Sequence, residues 1–353
     1  MNQKLNDVIL GVDTHLDVHV GAVINCSGSL LGTRSISVTS QGYQDLLEWA
    51  QSFGSLQSVG IEGTGTYGAA LCCFLTDKSI KVIEVNRPNR VVRRLQGKSD
   101  PLDAENAARS VLAGTSTALP KSKNGASEAI RTITVVRRSA VKAKTQAMNQ
   151  IRALLVSAPQ DIRDRLWQVK PHDCAATCLQ AKVNSESIAC QSLILTIKLL
   201  AKRWTVLAAE LKLLDQELDR LTKAYCARLR NRMGVGPYCA AILVTAAGDN
   251  PDRLKSEASL AALCGVSPLP ASSGKTVRHR LNRGGNRVAN NALWTIALVR
   301  SRSDPRTREY VARRTQEGLT TKEIYRCLKR YIVRELYPLI LKDLQGISPS
   351  LLT

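Results

Sequence analysis

The chain has 353 residues, with 50 lysines and arginines against 29 aspartates and glutamates, which gives a net charge of +21 at pH 7. A length of this order suggests two or three domains, and a hydrophobic content of 44% suffices for a sizeable core, which excludes a wholly disordered chain. The sequence has no uncharged apolar run of about 18 residues, and its first residues, MNQKLNDVILGVDTH, lack the basic-then-apolar pattern of a signal peptide. We therefore expect a cytoplasmic protein that does not enter a membrane.

The charge is distributed unevenly along the chain. Residues 1–85 hold 4 basic and 8 acidic side chains, whereas residues 86–353 hold 46 basic and 21 acidic ones. A strongly basic region favours an acidic partner, and nucleic acid is the commonest partner of this kind. The acidic N-terminal part and the basic remainder therefore predict two different roles.

The first 113 residues read as a mixed α/β domain. β-forming residues dominate residues 7–25 and 30–38. Further patterns predict, in order, a helix over 41–53, a strand over 58–62, a helix over 67–77, a strand over 80–85 and a helix from Pro101 to about residue 113. Strands that alternate with helices in this way are typical of an α/β fold.

The middle of the chain reads as mainly helical. A basic helix is predicted over 127–156, and residues 158–184, which include Pro171, read as irregular. Nine apolar residues then alternate spacings of four and three: Leu193, Ile197, Leu200, Trp204, Leu207, Leu211, Leu214, Leu218 and Leu221. Four heptads of this kind predict a coiled coil, which either packs on the 127–156 helix or pairs with another protomer.

A third region begins near Arg228 and opens with a glycine turn. Gly234 and Gly236 precede an apolar helix that runs to Ala247. Exposed backbone N–H groups at a helix N-terminus are typical of a phosphate-binding turn, as in a helix–hairpin–helix element. A tight connection between two helices uses the same residues, so both readings stay open.

Four carboxylates are placed where they would meet at one edge of the predicted sheet. Asp13 lies within the first strand, Glu62 ends a later strand, and Asp100 and Asp103 stand three residues apart at a helix start. Converging carboxylates repel one another unless cations lie between them. Hard oxygen ligands favour Mg²⁺, with Mn²⁺ as the alternative, and two such ions can clamp both oxygens of a phosphoryl displacement. Helix capping would also explain Asp100 and Asp103, but it does not explain an acid inside an apolar strand.

Several segments resemble one family. GVDTH, IEGTGTYG and KSDPLDAENAAR resemble the DEDD transposases of the IS110 insertion-sequence family, and MGVGPYCAAILVTAAGD and LAALCGVSPLPASSGKTVRHRLNRGGNRVANNAL are similar to its C-terminal transposase domain. The resemblance covers most of the chain and is poorest over 158–190. It implies a RuvC-like, RNase H-type domain with a trailing basic helix over 1–157. A linker and coiled coil over 158–227 and a mainly α transposase domain over 228–353 would follow.

The resemblance also implies a reaction. The family's four Mg²⁺-binding acids match Asp13, Glu62, Asp100 and Asp103, and its reactive serine matches Ser273, directly before Gly274. Ser272 is an adjacent competitor, and Lys275 stands where many members have a second glycine. Attack by the serine would leave a covalent phosphoserine link to DNA, which stores the phosphodiester energy and allows rejoining without ATP.

Family members are guided by a structured bridge RNA that pairs with donor and target DNA. The resemblance therefore implies DNA and RNA as partners of this chain. We expect the active form to be a homo-oligomer, either a dimer or a tetramer. Backbone contacts of such a protein are mostly made by lysine and arginine, and residues 278–334 hold 15 basic and 4 acidic side chains. The candidates for phosphate contacts are Gly234, Gly236, Lys275, Arg278, Arg280, Arg283 and Arg287. A solvated basic face is the alternative for any single arginine.

Three other readings compete with this one. A RuvC-like nuclease or junction resolvase would use the four acids with water as the nucleophile, and would leave the C-terminal third unused. A non-catalytic basic DNA-binding protein would have inert acids. An actin-like ATPase is disfavoured because Thr14, His15 and Leu16 follow the first aspartate, where its phosphate loop requires glycine.

Overall fold

The computed structural model describes residues 7–85, 99–182, 186–275 and 279–346. The chain divides into two compact units, one over Met1–Ser122 and one over Lys123–Thr353. Each unit has a hydrophobic core of its own. Among the described residues, no helix combines the length and apolar character needed to cross a membrane.

A mixed five-stranded sheet forms the centre of the first unit. Its strands are β1 (Asp7–Thr14), β2 (Val18–Asn25), β3 (Leu30–Ser37), β4 (Ser55–Glu62) and β5 (Val82–Val85), in the spatial order β3-β2-β1-β4-β5. β1, β2 and β3 form an antiparallel meander, whereas β4 runs parallel to β1 and β5 parallel to β4. The β-rich stretch 7–25 is two strands, because residues 15–17 turn the chain between them.

Among the described residues of this unit, three helices flank the sheet: α1 (Ser40–Gln51), α2 (Ala69–Asp77) and α3 (Asp100–Leu112). The amphipathic α1 buries an apolar face that includes Tyr43 and Leu46 against the sheet core. α3 contacts β1, β2 and β4. The described part of the unit therefore has the mixed α/β character that its sequence predicts.

Helix α3 lies directly against the sheet because the residues at the crossing are small. A Cβ atom added to Gly11 on β1 would lie 2.0 Å from the carbonyl oxygen of Ala104 and 2.4 Å from the backbone nitrogen of Ala108. On β4, a Cβ atom added to Gly60 would lie 2.9 Å from the carbonyl oxygen of Ala107. This backbone-to-backbone packing sets the height of α3 above the sheet, and with it the position of the acids at the helix start.

The second unit begins with a long antiparallel helix pair. α4 (Ala126–Val156) is followed by α5 (Gln160–Leu166), α6 (Pro171–Leu179) and the 38-residue α7 (Ile188–Tyr225). The prediction that residues 158–184 are irregular was wrong, since most of them form α5 and α6. Pro171 stands in the first turn of α6, where a proline needs no hydrogen-bond partner and its φ suits a helix.

The apolar stripe of α7 packs within the chain. Its buried members are Ile197, Leu200, Trp204, Leu211, Leu218 and Leu221. Arg137 Nε on α4 lies 2.5 Å from Asp215 Oδ1 on α7, and Lys144 Nζ lies 5.4 Å from the centre of the Trp204 ring. Of the two alternatives for this stripe, packing on α4 is the one that the structure shows, so the stripe is not a coiled-coil seam between protomers.

The rest of the second unit is mostly helical. Its helices are α8 (Ala227–Arg230), α9 (Pro237–Ala247), α10 (Glu257–Leu263), α11 (Arg287–Ser303), α12 (Pro305–Gln316) and α13 (Thr321–Gln345). The apolar α9 is buried along nearly its whole length and contacts α4, α7, α11 and α13. Two short antiparallel strands, β6 (Leu269–Pro270) and β7 (His279–Arg280), form an arm between α10 and α11.

Helix α4 belongs to the second compact unit, although the sequence grouped it with the N-terminal domain. Its contacts with α7 and α9 explain this placement. The domain boundaries at 157 and 227 concern family segments rather than compact units, and they stay predictions.

We expect Gly11→Ala to lower the free energy of unfolding by about 1–3 kcal/mol, because the new methyl group overlaps the backbone of α3 and forces it away from the sheet. Urea denaturation followed by circular dichroism measures this change. Gly65→Ala is the control, since a Cβ atom there has no atom within 4 Å. Equal effects of the two substitutions would contradict the packing argument.

Candidate functional site

Two neighbouring strand ends form the base of the site. Asp13 lies near the end of β1 and is only 8% exposed. β1 and β4 are parallel with Val12 opposite Ile61, so Asp13 and Glu62 follow at the same level. The Thr14 hydroxyl donates a 2.8 Å hydrogen bond to the Glu62 backbone carbonyl and joins the two strand ends. The structure therefore brings the first two predicted acids to one edge of the sheet.

The start of α3 supplies two more carboxylates. Ser99 occupies the N-cap position, Asp100 is the first helical residue, and the buried Asp103 follows three residues later. Asp100 is therefore not the N-cap residue. Carboxylates in the first turn of a helix are stabilised by the positive end of its dipole. That stabilisation partly offsets the repulsion that this crowding of acids creates.

His15 joins the acids, which the sequence did not predict. Its Nε2 atom lies 3.2 Å from Asp13 Oδ2 and 3.4 Å from Asp100 Oδ1. Asp13, His15 and Asp100 each offer a ligand atom, and these three atoms lie within 4.8 Å of one another. The one signal in the sequence is a histidine two residues after a strand aspartate, which does not by itself indicate a ligand. His15 links the two carboxylates only because α3 brings Asp100 to the end of β1.

The electrostatics of this cluster favour a cation. Burial raises the pKa of the Asp13 carboxyl above its ordinary value; the neighbouring His15 lowers it, while the charges of Asp103 and Asp100 raise it further. A carboxylate in such surroundings gains from a positive charge beside it. Two carboxylate oxygens and an imidazole nitrogen are a donor set that a hard or borderline divalent ion accepts. The residues present therefore fit a divalent metal ion.

Glu62 and Asp103 are not in that group of three. Glu62 is half-buried at the end of β4, and Asp103 lies close enough to Asp13 to raise its pKa. All four predicted acids thus lie at the same end of the β1–β4 pair, although only Asp13 and Asp100 share the group with His15. Their roles as metal ligands stay predictions.

Ser273 lies in the second unit, on the arm between β6 and β7. Its side chain is exposed, as are those of Ser272 and Lys275. Gly274 has a φ of 56°, a left-handed conformation that favours glycine, and a Cβ atom there would meet open space. The arm therefore carries two exposed serines at a turn whose backbone shape depends on Gly274.

The predicted phosphate contacts surround the root of this arm. Arg280 lies on β7, and Arg283 and Arg287 follow it, all with exposed side chains. Arg278 lies outside the described residues. Their side chains are thus accessible, as a contact with a nucleic-acid backbone requires, and their role in such a contact stays a prediction.

The glycine turn has the local geometry of a helix start. Gly234 has a φ of 78°, and Gly236 is the N-cap residue of α9. The carbonyl oxygen of Met233 accepts a 2.9 Å hydrogen bond from Arg300 Nε, which fixes the turn against α11. The turn therefore connects two helices tightly, and its phosphate-binding role stays a prediction.

Comparison with known proteins identifies the family. The IS110 model of DEDD transposases, described as "Transposase", matches residues 10–158. A second model, described as "Transposase IS116/IS110/IS902 family", matches residues 226–312, and the two matches together cover about two thirds of the chain. The chain belongs to the IS110 family of transposases. The resemblance found in the sequence motifs is thereby confirmed.

A curated relative of the family shares part of this sequence. The chain is 28% identical over 144 residues to the "Insertion element IS110 uncharacterized 43.6 kDa protein" of Streptomyces coelicolor. The match covers 40% of this chain and 35% of the relative. Within the IS110 family models, the first match includes the four predicted acids and the second includes Ser273.

We expect Mg²⁺ to raise the melting temperature of the wild-type protein by several degrees. An ion that binds only the folded state, at a concentration 100 times its dissociation constant, raises the free energy of unfolding by about 2.7 kcal/mol. Asp13→Asn should remove most of this shift. The same substitution should raise the stability of the metal-free protein at neutral pH, since it removes a buried charge that repels Asp100 and Asp103. Differential scanning calorimetry with and without Mg²⁺ measures both effects.

The pH dependence of these melts follows from the raised pKa of Asp13. In the metal-free protein the folded state favours the protonated carboxyl, so stability falls as pH rises from the ordinary value of 3.8 through the raised one. Mg²⁺ binding should weaken as pH falls through the same interval, because protons compete for the ligand. Asp17→Asn, in the turn after β1, is the control. A Mg²⁺ shift that survives Asp13→Asn would contradict a metal centre at this position.

Proposed function

We propose that this protein is the transposase of an insertion sequence, which cuts and rejoins DNA strands. The observation that carries the proposal is the convergence of Asp13, Asp100 and Asp103 at the end of a central strand, in a chain of the IS110 family. Such a cluster of carboxylates, in which burial and the neighbouring charges of Asp103 and Asp100 raise the pKa of Asp13, suits metal-dependent phosphoryl transfer. The cytoplasm, where the protein would meet nucleoid DNA, is the expected compartment.

We propose further that the N-terminal unit is a RuvC-like domain of the RNase H type. Its strand order β3-β2-β1-β4-β5, with an antiparallel meander followed by two parallel strands, supports this assignment. The positions of the acids on β1, at the end of β4 and at the start of α3 support it as well. Such a domain places its carboxylates on adjacent elements, where one phosphodiester can reach all of them.

In the proposed site, Asp13, Glu62, Asp100 and Asp103 hold Mg²⁺, with Mn²⁺ as the alternative, and His15 is a further candidate ligand. When bound, the ion neutralises charge on the phosphate oxygens and polarises the phosphorus for attack. The chain's own contribution is to hold the carboxylates together against their repulsion. The packing of α3 on Gly11 and the hydrogen bond between Thr14 and Glu62 both serve this purpose.

The proposed nucleophile is the Ser273 hydroxyl. Its Oγ atom would bond to the phosphorus while the bond from phosphorus to one DNA oxygen breaks, and the proton lost by the serine balances the one gained by that oxygen. The product is a phosphoserine ester. Attack on that ester by a hydroxyl of a second DNA strand reverses the step and releases the serine, so no ATP is required. The exposure of Ser273 on its arm supports this role.

The proposed partners are donor and target DNA together with a structured bridge RNA. If base pairing with the RNA selects the DNA sequence, the protein needs to recognise only the backbone and the overall shape of the nucleic acids. The excess of basic residues after residue 85 agrees with such backbone contacts. A homo-oligomer, a dimer or tetramer, is the proposed active form. A second apolar stripe on α7 remains exposed and supports such an assembly: Leu195, Leu199, Val206 and Leu213.

We expect Ser273→Ala to abolish the covalent protein–DNA adduct, because the methyl group cannot form the ester. The adduct is measured as a shifted protein band after denaturing electrophoresis of a reaction with DNA that carries the insertion-sequence ends. Ser272→Ala is the matched control and should retain the adduct. An adduct that persists in Ser273→Ala and disappears in Ser272→Ala would reassign the nucleophile to the neighbouring serine.

The same reaction separates the transposase from a water-using RuvC-like nuclease or junction resolvase. A nuclease would cut DNA in Mg²⁺ without any adduct and would be unaffected by Ser273→Ala. A non-catalytic DNA-binding protein would leave the DNA intact. Asp13→Asn should stop both cleavage and adduct formation, since it removes a carboxylate from the acid cluster.

We expect the protein purified with RNA co-expressed from its own element to retain one specific transcript. Sequencing that RNA and testing recombination of the DNA pair that it predicts measures guidance directly. Scrambling the pairing segments of the RNA should abolish recombination while leaving DNA binding in place. Recombination that is indifferent to the RNA would exclude guidance.

A further inference from the structure

Two clefts on the second unit share three lining residues: Leu281, Asn282 and, on α13, Lys329. The first cleft, of about 660 Å³, is lined in part by Arg283, Arg287 and Trp294. The second, of about 1000 Å³, is lined in part by Arg280 and Arg326. Lys329 lines both clefts although it is only 8% exposed, so it forms the floor on which they join.

Lys329 is a buried charge with a neutral partner. Its Nζ atom donates a 2.8 Å hydrogen bond to Asn290 Oδ1. Within the described residues, no carboxylate lies within ion-pairing distance of this ammonium group. The group has three N–H donors, and Asn290 is the one acceptor that the described residues supply. Burial lowers its pKa, and the nearby positive charge of Arg326 lowers it further. A buried cation of this kind is costly unless an anion accompanies it.

The neighbouring acids are engaged elsewhere. Glu257 pairs with Arg330 and lies 3.9 Å from Arg334, both of which line the second cleft. Glu323 accepts hydrogen bonds from Thr320 in the capping box of α13. The carboxylates along this cleft are therefore committed to other partners, and the positive charge at its floor remains available for a ligand.

The floor is tied to the arm that carries Ser273. Asn290 Nδ2 donates 3.0 Å hydrogen bonds to the carbonyl oxygens of Cys264 and Gly265, directly before the arm begins. Asn282, two residues after β7, donates a 3.1 Å hydrogen bond to Ser267 Oγ. An anion bound to Lys329 would therefore lie one hydrogen-bonded residue, Asn290, away from the chain that leads into the arm.

We propose that the junction of the two clefts is a binding site for a phosphodiester group of a nucleic-acid backbone, seated on Lys329. The site rests on the proposed function only in that nucleic acid is the ligand. Arg280 and Arg287, on opposite sides of the junction, line the paths by which a strand would enter and leave. A phosphodiester group bound beside Lys329 would supply the negative charge that the described residues do not place next to its buried ammonium group.

Lys329→Gln tests the site in the full-length protein. Glutamine removes the charge but keeps an N–H donor for Asn290, so the fold of the arm is spared. Binding of a fluorescent duplex DNA of arbitrary sequence is measured by anisotropy between 50 and 300 mM salt. We expect about a tenfold loss of affinity, since a hydrogen bond to a charged group is lost, and a salt dependence shallower by about 0.9 in log–log slope, as for one phosphate contact.

The matched control is Lys322→Gln, an exposed lysine on the same helix that lines neither cleft. It loses the same formal charge and should retain both affinity and slope. A parallel titration with duplex RNA of the same sequence decides whether the phosphate belongs to DNA, to RNA or to either. If Lys329→Gln binds both nucleic acids as tightly as the wild type and with the same slope, the proposal is overturned.

A second measurement needs no variant. Acetylation of lysines in the wild-type protein, followed by mass spectrometry, should show protection of Lys329 by the duplex and unchanged labelling of Lys322. Labelling of Lys329 that ignores the duplex would overturn the site even if Lys329→Gln failed to fold. Neither measurement requires strand cleavage, so the two proposals can be tested separately. Phosphate binding at Lys329 can be disproved in a protein that forms the Ser273 adduct, and it can be confirmed in a protein that forms none.

Discussion

The contact between α3 and the sheet at Gly11 decides where the charges of the acidic site stand. The helix backbone lies so near β1 that a single added methyl group would overlap it. Asp100 and Asp103 are carried on the first turn of that helix, so the same contact holds them beside Asp13. Repulsion among the carboxylates opposes this arrangement, and the apolar packing of alanines against glycines maintains it. The site is thus a consequence of how closely a helix can approach a sheet.

The two compact units concentrate charges of opposite sign. The first unit concentrates carboxylates at one strand end, where a metal ion would balance them. The second carries exposed arginines around the arm of Ser273 and a buried lysine beneath it. In the proposed function both units would contact phosphate, the first through a metal ion and the second through its own basic side chains. The charge asymmetry in the sequence therefore has a structural counterpart in two sites of opposite sign.

Much of the fold was predictable because its signals are local. The heptad stripe identified the buried face of α7, since a spacing of four and three aligns residues on one side of a helix whatever packs there. What packs there was not predictable, because a stripe looks the same against α4 as against a second protomer. The irregular structure predicted around Pro171 was wrong for a related reason. A proline interrupts a helix when it lies in the middle but is favourable in the first turn, and the packing of the surrounding chain decides between the two cases.

The sequence alone was enough to identify the family and to separate an acidic from a basic region, because motifs and charge are properties of the chain read in order. It also named four acids and a serine as candidates, whose roles stay predictions. Tertiary structure alone decided that His15 bridges Asp13 and Asp100, that the α7 stripe faces inward, and that Lys329 is buried between two clefts. Each of these depends on residues far apart in sequence that packing brings together. His15 becomes a candidate ligand only beside Asp13 and Asp100, and Lys329 becomes a candidate phosphate contact only because packing buries it next to Asn290.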